Sequence, residues 1–278
     1  MLQLKNRLSF FYVERGSLTV VDGCLVLTDN DDRTQYEVPA RSIVTVLIGP
    51  GTTVSTEAMK LAGRYGLTLT WVGEHGVRCY SAGRAWSENT EWLERQVEAY
   101  ADPKLSLKVA REMFYRRFGV RMERRSIEQL RGIEGARVKE FYKLKAAEYR
   151  IPWRGRKYLP GNPYQGTDAP NLALNVANVC LYGLVETGCH ATGMSPALGF
   201  IHRGKSVSFV LDVADLFKFE LTIPLAFSVV ARKGDGLDPW PGLESDVRRA
   251  ARDRFRDEKL LDRIVKDMTE LISACTRP

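Results

Sequence analysis

The hydrophobic pattern of the chain changes near residue 90, and this change limits the folds that the chain can adopt. Before it, short runs rich in β-branched and aromatic residues alternate with turn signals such as Asp22-Gly23, which is typical of strands and hairpins. From Glu91 onward, apolar residues recur with the helical period of 3.6. We therefore predict an α+β fold with an N-terminal β domain at residues 1–82, a linker at 83–90 and a larger helical domain at 91–278.

Within the helical part, the longest predicted helix has a clear start. Ser126 and Gln129 form a capping-box signature, and the apolar period continues from there to about Tyr149. Two further helices are predicted near the end of the chain, at Pro224–Lys233 and Glu244–Cys275.

Composition narrows the class of protein. Of 278 residues, 44% are apolar and 27% are charged, a profile typical of soluble globular proteins. The longest uncharged run, residues 169–185, contains three asparagines and is short for a bilayer span, so no transmembrane helix is predicted. The first 16 residues do not resemble a signal peptide, and we expect a cytoplasmic protein. Five cysteines without CxxC spacing argue against a zinc knuckle or a disulfide scaffold.

Positive charge is concentrated in two helical stretches of a chain whose net charge is +7. Residues 111–139 contain nine basic residues against four acidic ones, and a second basic face follows at Arg248, Arg249, Arg252, Arg254 and Arg256. Either face alone is compatible with simple solvation. Two such faces favour an anionic partner, and nucleic acid is the preferred one.

The long helix carries a carboxylate on its apolar side. At 100° per residue, Glu134 falls within the stripe formed by Ile127, Leu130, Ile133, Val138, Phe141 and Leu144. A buried charge is costly, so Glu134 must be neutralised, paired with Arg or Lys, or bound to a metal ion. Gly132 and Gly135 beside it each cost about 1 kcal/mol relative to alanine, which is understandable if a nucleic-acid backbone comes close there.

A second stretch, GFIHRGKSVSFVLDVADLF at residues 199–217, contains His202, Asp212 and Asp215. If its second half is helical, the two aspartates lie one turn apart on one face, with His202 in a glycine-flanked turn before them. One histidine with two or three carboxylates is a ligand set suited to Mg²⁺ or Mn²⁺. A hydrogen-bonded structural histidine and helix-capping aspartates are the alternatives.

Five separated blocks resemble the CRISPR-associated spacer integrase, the first and most widespread Cas protein, in the form found with type I-E systems. They lie in the expected order within residues 7–256: VLIGPGTTVSTEAMKLAG, LTWVGEHGVRCYSAGR, RRSIEQLRGIEGARVKEFY, NVCLYGLVE and PALGFIHRGKSVSFVLDVADLFKF. The agreement of five blocks in order makes the resemblance specific.

The resemblance implies a β-sandwich-like N-terminal domain followed by a larger all-α catalytic domain. It implies that Glu134, His202 and Asp215 bind Mg²⁺ or Mn²⁺ as catalytic metal ligands, with Asp212 as a supporting catalytic carboxylate. It further implies a homodimer, and an assembly of two such dimers on a central dimer of a small ferredoxin-like partner protein. No membrane is involved.

By the same resemblance, seven residues match family positions that contact DNA or border the active site: Lys60, Arg78, Tyr158, Tyr182, Lys205, Arg248 and Arg252. Packing on an apolar helix is the alternative role for Tyr182, and solvation for Lys60. The chain also departs from some relatives, with Thr53 in place of a basic residue and Arg15 in place of an aromatic wedge at the DNA fork. The resemblance therefore leaves open how duplex ends would be splayed.

The implied reaction is phosphodiester transesterification, in which the 3′-hydroxyl of a captured double-stranded DNA fragment is joined to the border of a CRISPR repeat. Two other functions are compatible with the same residues. One is a metal-dependent nuclease for branched or single-stranded DNA in repair. The other is an architectural DNA-binding protein in which Glu134 is merely ion-paired.

Overall fold

Strands come first and helices follow, as the pattern of the sequence predicts. The computed structural model describes residues 8–13, 15–30, 33–38, 40–72, 79–82, 90–122, 125–157, 167–233 and 237–276. The strands are β1 (Leu8–Val13), β2 (Gly16–Val21), β3 (Cys24–Asp29), β4 (Gln35–Val38), β5 (Ile43–Ile48), β6 (Thr53–Val54), β7 (Thr68–Val72) and β8 (Cys79–Ala82). The helices are α1 (Thr56–Tyr65), α2 (Glu91–Ala101), α3 (Pro103–Phe118), α4 (Ile127–Glu148), α5 (Ala169–Thr192), α6 (Ser208–Phe217), α7 (Ile223–Ala231), α8 (Leu243–Asp257) and α9 (Leu260–Cys275).

Two four-stranded sheets form the N-terminal region. One has the strand order β1-β5-β7-β8, and the other β4-β3-β2-β6. In the first, β1, β5 and β7 run parallel and β8 is antiparallel to β7; in the second, β2, β3 and β4 form an antiparallel meander. Apolar side chains of both sheets and α1 share one core, which gives the region its sandwich-like form. The α+β prediction is confirmed.

The first sheet also packs against the helices. β5 contributes Val46 and Ile48 to the core between the sheets, and Val44 and Leu47 to the helical core. On the helical side, β5 contacts α5, and β1 contacts α8. The boundaries at 82 and 91 stay predictions, because residues 83–89 lie outside the described part of the chain.

Helix α5 is the centre of the helical region, and α6, α7, α8 and α9 all contact it. It is long and apolar enough to cross a membrane by length and composition, but 94% of its most apolar window is buried inside the protein. Its hydrophobicity is thus explained by its place in the core.

Two predictions about helices need correction. The stretch predicted as one helix from Glu244 to Cys275 consists of α8 and α9, separated at Lys259, whose φ of 49° cannot continue a right-handed helix. Leu144, predicted on the apolar side of α4, is 61% exposed. The buried stripe rotates along α4, from Leu130 near its start to Tyr142 and Ala146 near its end.

Candidate active site

The turn before α6 is organised around the Asp212 carboxylate. Its oxygens accept hydrogen bonds from the backbone N–H of Phe200 at 2.6 Å, of Ile201 at 2.9 Å and of His202 at 2.8 Å. The same carboxylate lies 2.7 Å from Nδ1 of the His202 ring. Asp212 is 1% exposed, and four donors satisfy it. It therefore supports the turn and does not face a ligand.

This arrangement sets the tautomer of His202. A carboxylate accepts hydrogen bonds, so Nδ1 carries a proton and its N–H donates a hydrogen bond to Asp212. When the ring is neutral, this leaves the lone pair on Nε2, which is the usual way in which a carboxylate prepares a histidine to bind a metal ion. Because the side chain is 37% exposed, Nε2 can be reached from outside. Gly199 makes the turn possible, since a Cβ there would lie 2.4 Å from the His202 carbonyl oxygen.

Asp215 lies one turn further along α6, between two cations. Its Oδ1 is 2.7 Å from Nζ of Lys218, and its Oδ2 is 3.5 Å from Nη1 of Arg117. Burial alone would raise the pKa of Asp215, but the charges of Lys218 and Arg117 outweigh it and hold the pKa below its ordinary value. A protonated His202 would lower the pKa of Asp215 further.

Glu134 reaches the same place from α4. Its carboxylate is paired with Nη1 of Arg117, the nitrogen that also contacts Asp215. The side chain of Glu134 is 17% exposed and that of Arg117 only 8%. One turn before Glu134, Arg131 donates a hydrogen bond to the carbonyl of Ile201, which ties α4 to the His202 turn. Three separate segments of the chain therefore meet at this point.

Lys218 begins a π-helical segment, Lys218–Thr222, that connects α6 to α7. Such segments are often found at functional sites. Burial would lower the pKa of Lys218, but the attraction of Asp215 outweighs it and holds the pKa above its ordinary value, so the side chain is a permanent cation. Its Nζ lies 4.9 Å from the centroid of the Tyr182 ring, which places Tyr182 at the border of the site.

The donor set fits a hard divalent cation. Glu134 and Asp215 bracket one positively charged nitrogen, and His202, whose Nδ1 is bonded to Asp212, can offer Nε2 as a ligand. In the described part of the chain, no three His, Cys, Asp or Glu side chains converge closely enough to hold an ion as they stand. The guanidinium of Arg117 lies between the two carboxylates, in the position that a cation would need.

Sequence reasoning found the acids and the histidine of this site but missed both cations. Arg117 lies in the basic stretch 111–139, where nothing in the pattern distinguishes a buried arginine from a solvated one. Lys218 had a usable signal, because it follows Asp215 by three residues and such pairs share one helix face. The ion-pair alternative for Glu134 is present in the structure.

The predicted DNA-contacting residues lie in several places. Lys205 is exposed in the turn before α6, close in sequence to His202. Lys60 lies on α1, where its side chain is 72% exposed and its Nζ is 3.7 Å from Oε1 of Glu57. Arg78 and Tyr158 lie outside the described residues. The roles of these residues in DNA binding stay predictions.

Arg248 and Arg252 line a cavity of about 300 Å³ between the strand region and α8. Arg15 contributes to the same wall, where the resemblance places an aromatic wedge in some relatives. Arg248 is 8% exposed, and its guanidinium lies 4.0 Å above the centroid of the Tyr12 ring. Thr53 is exposed on β6 and does not line this cavity.

Comparison with known proteins places the chain in a family. The family model described as "CRISPR associated protein Cas1" matches residues 11–121 and 119–235. The "CRISPR-associated endonuclease Cas1 1" of Rhodospirillum rubrum is 42% identical over 278 residues, covering 98% of this chain and 87% of that protein. The "CRISPR-associated endonuclease Cas1" of Escherichia coli K12 is 40% identical over 274 residues, with 98% and 87% covered.

Solved structures agree in fold. The "Crystal structure of TtCas1-DNA complex" superposes with a TM-score of 0.81 at 34% identity, covering 97% of this chain and 95% of that one. A "Casposase bound to integration product" shares the fold with a TM-score of 0.73 at 13% identity, over 96% of this chain and 91% of that one. The chain thus belongs to the Cas1 family of CRISPR-associated proteins, which includes the endonucleases of Rhodospirillum rubrum and Escherichia coli.

Proposed function

We propose that this chain is a metal-dependent DNA integrase and endonuclease of CRISPR spacer acquisition. The observation that carries the proposal is the pair of carboxylates, Glu134 and Asp215, that brackets a single cation position beside an oriented His202. Buried acids that converge on one cation are typical of enzymes that act on phosphodiesters.

Glu134, His202 and Asp215 would hold Mg²⁺ or Mn²⁺, and Asp212 would keep His202 oriented. The ion, when bound, stabilises negative charge on the phosphate and favours the alkoxide form of the attacking hydroxyl. Lys218, a permanent cation beside Asp215, adds positive charge on the same side. Holding these groups rigidly on α4 and α6 lowers the cost of orienting the reacting strands.

The proposed reaction exchanges one phosphodiester bond for another. The oxygen of a 3′-hydroxyl on the captured fragment attacks phosphorus at the border of the repeat, and a new P–O bond forms. The bond from phosphorus to the 3′-oxygen of the neighbouring repeat-strand nucleotide breaks. The attacking hydroxyl loses a proton and the leaving oxygen gains one. With water as the attacking group the same centre hydrolyses DNA, in keeping with the endonuclease names of the relatives.

The proposed partners follow from the same family. DNA is bound in the similar TtCas1 structure, and a "Cas6-RT-Cas1--Cas2 complex" shares the fold with a TM-score of 0.68 at 13% identity. We propose that two homodimers of this chain act on a central dimer of a small ferredoxin-like partner, in a type I-E system of the cytoplasm. The 40% identity with the Escherichia coli relative supports this form.

The test is an integration assay. The chain, with and without its small partner, is incubated with Mn²⁺ or Mg²⁺, a fragment bearing a 3′-hydroxyl and a supercoiled plasmid carrying a repeat. We expect a covalent fragment–plasmid product that requires metal and both proteins. Glu134→Gln should reduce it at least about 100-fold, since a ligand is lost, whereas Glu140→Gln should not. Glu140 is a matched control on the same helix, 63% exposed and 4.0 Å from Lys143.

Two outcomes would refute the proposal. If the complete mixture forms no joined product, integration is excluded, and cleavage of branched DNA by the chain alone would then identify a repair nuclease. If every DNA reaction proceeds without divalent metal or with His202→Ala, the catalytic role of this site is wrong.

A further inference from the structure

The most unusual side chain at the site is Arg117, because it is a nearly buried arginine shared by two acids. It belongs to the last turn of α3, whereas its partners, Glu134 and Asp215, lie on α4 and α6. Its guanidinium lies over two adjacent rings, 5.2 Å from the centroid of Phe118 and 4.7 Å from that of Phe219. It is the group that joins the two carboxylates.

The two acids that would bind the metal ion are already paired with resident cations. Glu134 and Asp215 bring two negative charges, and Arg117 and Lys218 bring two positive ones. Asp212 is satisfied separately by the His202 turn. A divalent cation added between Glu134 and Asp215 would bring two more positive charges beside Arg117 and Lys218, and like charges at short distance in a largely buried space repel one another strongly. The ion and the resident cations therefore compete for the same two carboxylates.

Of the two cations, Arg117 is the one that occupies the position between the carboxylates where the ion would bind. Lys218 pairs with Asp215 and lies over the Tyr182 ring, and among the described residues it forms no ion pair with Glu134, so it can stay at the side of the site. The Arg117 nitrogen lies between both carboxylates, where it and a metal ion cannot be accommodated together. Its Nε is buried and has no hydrogen-bond partner among the described residues, so the carboxylates are what hold the guanidinium in this pose.

We propose that Arg117 is a positioning residue that holds Glu134 and Asp215 together in the metal-free protein and is displaced when the divalent ion binds. The inference rests on the proposed function, since it assumes that these acids bind the ion. Arg117 prevents the two carboxylates from repelling each other before the ion arrives, and it competes with the ion for them. Metal affinity is therefore set partly by the strength of the Arg117 pairing.

The test measures Mn²⁺ binding by electron paramagnetic resonance and thermal unfolding with and without Mn²⁺. Arg117→Met keeps the length of the side chain and removes the charge. We expect it to bind Mn²⁺ about tenfold more tightly than the wild type, because a competing charge-assisted pair is lost. Without metal the variant should melt at a lower temperature, and Mn²⁺ should raise its melting temperature by more than that of the wild type.

Two further variants separate competition from general effects of charge. Arg117→Lys keeps the charge, and its Mn²⁺ affinity should stay within about threefold of the wild type. Arg137→Met removes an exposed arginine that stacks on the same Phe118 ring, 5.2 Å from its centroid, and it should leave the affinity unchanged. If Arg117→Met does not fold, Mg²⁺ titration of the ¹⁵N-labelled wild type replaces it, and the Nε–H signal of Arg117 should move as the site fills.

Equal or weaker Mn²⁺ binding by Arg117→Met, or an Arg117 signal that does not respond to Mg²⁺, would overturn the inference. A different result would refute the proposed function itself. In that case the wild type would show no Mn²⁺ binding that depends on His202. If Mn²⁺ binding is saturable and depends on His202 but does not change in Arg117→Met, only the proposed displacement of Arg117 is refuted.

Discussion

At the scale of single residues, the geometry of the site depends on Asp212, a residue that supports the proposed ligand His202. Asp212 does not face the place where an ion would bind, yet it determines where His202 points and which of its nitrogens carries the proton. The sequence placed Asp212 and Asp215 on one face of a helix, but it could not show which of them turns inward. That difference depends on three backbone N–H groups of the preceding turn.

Replacing Asp212 by asparagine should damage both stability and activity. The amide keeps one acceptor oxygen but presents an NH₂ group to backbone donors, so we expect a loss of about 3 kcal/mol in the free energy of unfolding. The integration product should fall as well, because His202 loses its orientation. Urea unfolding and the integration assay measure the two effects. Asp253→Asn, at an exposed pair with Arg252, is the control and should change neither by much.

Asp267 provides a prediction about pH. Its partial burial raises the pKa of the carboxyl above the ordinary value, more than Arg116 lowers it. An acid whose folded-state pKa is raised stabilises the fold below its unfolded-state pKa, and that contribution is lost as the pH rises through the folded-state pKa. Asp267→Asn should therefore be more stable than the wild type at pH 7, with the advantage shrinking toward pH 4. A constant difference in the urea midpoint across this range would contradict the prediction.

At the scale of elements, the sequence predicts the start of α4 and the position of Glu134 correctly, but it misplaces Leu144. The capping box is present, with the Ser126 side chain accepting from the N–H of Gln129 at 3.4 Å, and Glu134 lies on the contact face as expected. Leu144 was misplaced because a straight helical wheel ignores the rotation of the contact stripe along 22 residues. Local patterns show which residues share a face, but not what packs against each turn.

The glycines of α4 lead to a prediction in which stability and function move in opposite directions. An added Cβ at Gly132 or Gly135 would meet no described atom within 4 Å, so protein packing does not require either glycine. Gly135→Ala should stabilise the protein by up to about 1 kcal/mol through helix propensity. If DNA approaches this face beside Glu134, the same change should weaken DNA binding. A more stable variant with unchanged DNA affinity in a filter-binding assay would refute a role for these glycines in DNA approach.

The pairing of Arg117 with two acids lies beyond what a sequence pattern can predict. Helices α3 and α4 are close in sequence, but α6 follows only after α5 and its flanking loops. The meeting of Arg117 with both acids depends on the packing of α6 against α3 and of α4 against α3. Residues 111–139 contain several arginines, and the sequence shows that the Glu134 carboxylate in this stretch needs a partner for its charge. The tertiary structure determines which of these arginines pairs with Glu134.

At the scale of the whole molecule, the strand and helical regions share a core. Gly183 on α5 faces Leu47 on β5 so closely that an added Cβ would lie 2.8 Å from a Leu47 methyl group. The change in hydrophobic pattern at residue 90 predicts two regions, and both exist. It does not predict that β5 would be buried on both sides.

This contact predicts coupling between the regions. Gly183→Ala should destabilise the protein by about 1–3 kcal/mol through overpacking. Leu47→Ala should cost about 2–5 kcal/mol by itself, but the double variant should lose less than the sum, because the smaller side chain makes room for the new methyl group. Urea unfolding of the four proteins gives the coupling energy. Strict additivity would show that the regions do not pack as described.

The most direct measurement of the central claim is an anomalous difference map from crystals of the protein soaked in Mn²⁺. We expect one Mn²⁺ peak bound by Glu134, Nε2 of His202 and Asp215, with the Arg117 guanidinium moved out of the space between the carboxylates. Asp212 should remain hydrogen-bonded to His202 and make no contact with the ion. A map without Mn²⁺ at these residues, with Arg117 still bridging Glu134 and Asp215, would contradict the metal-centred mechanism.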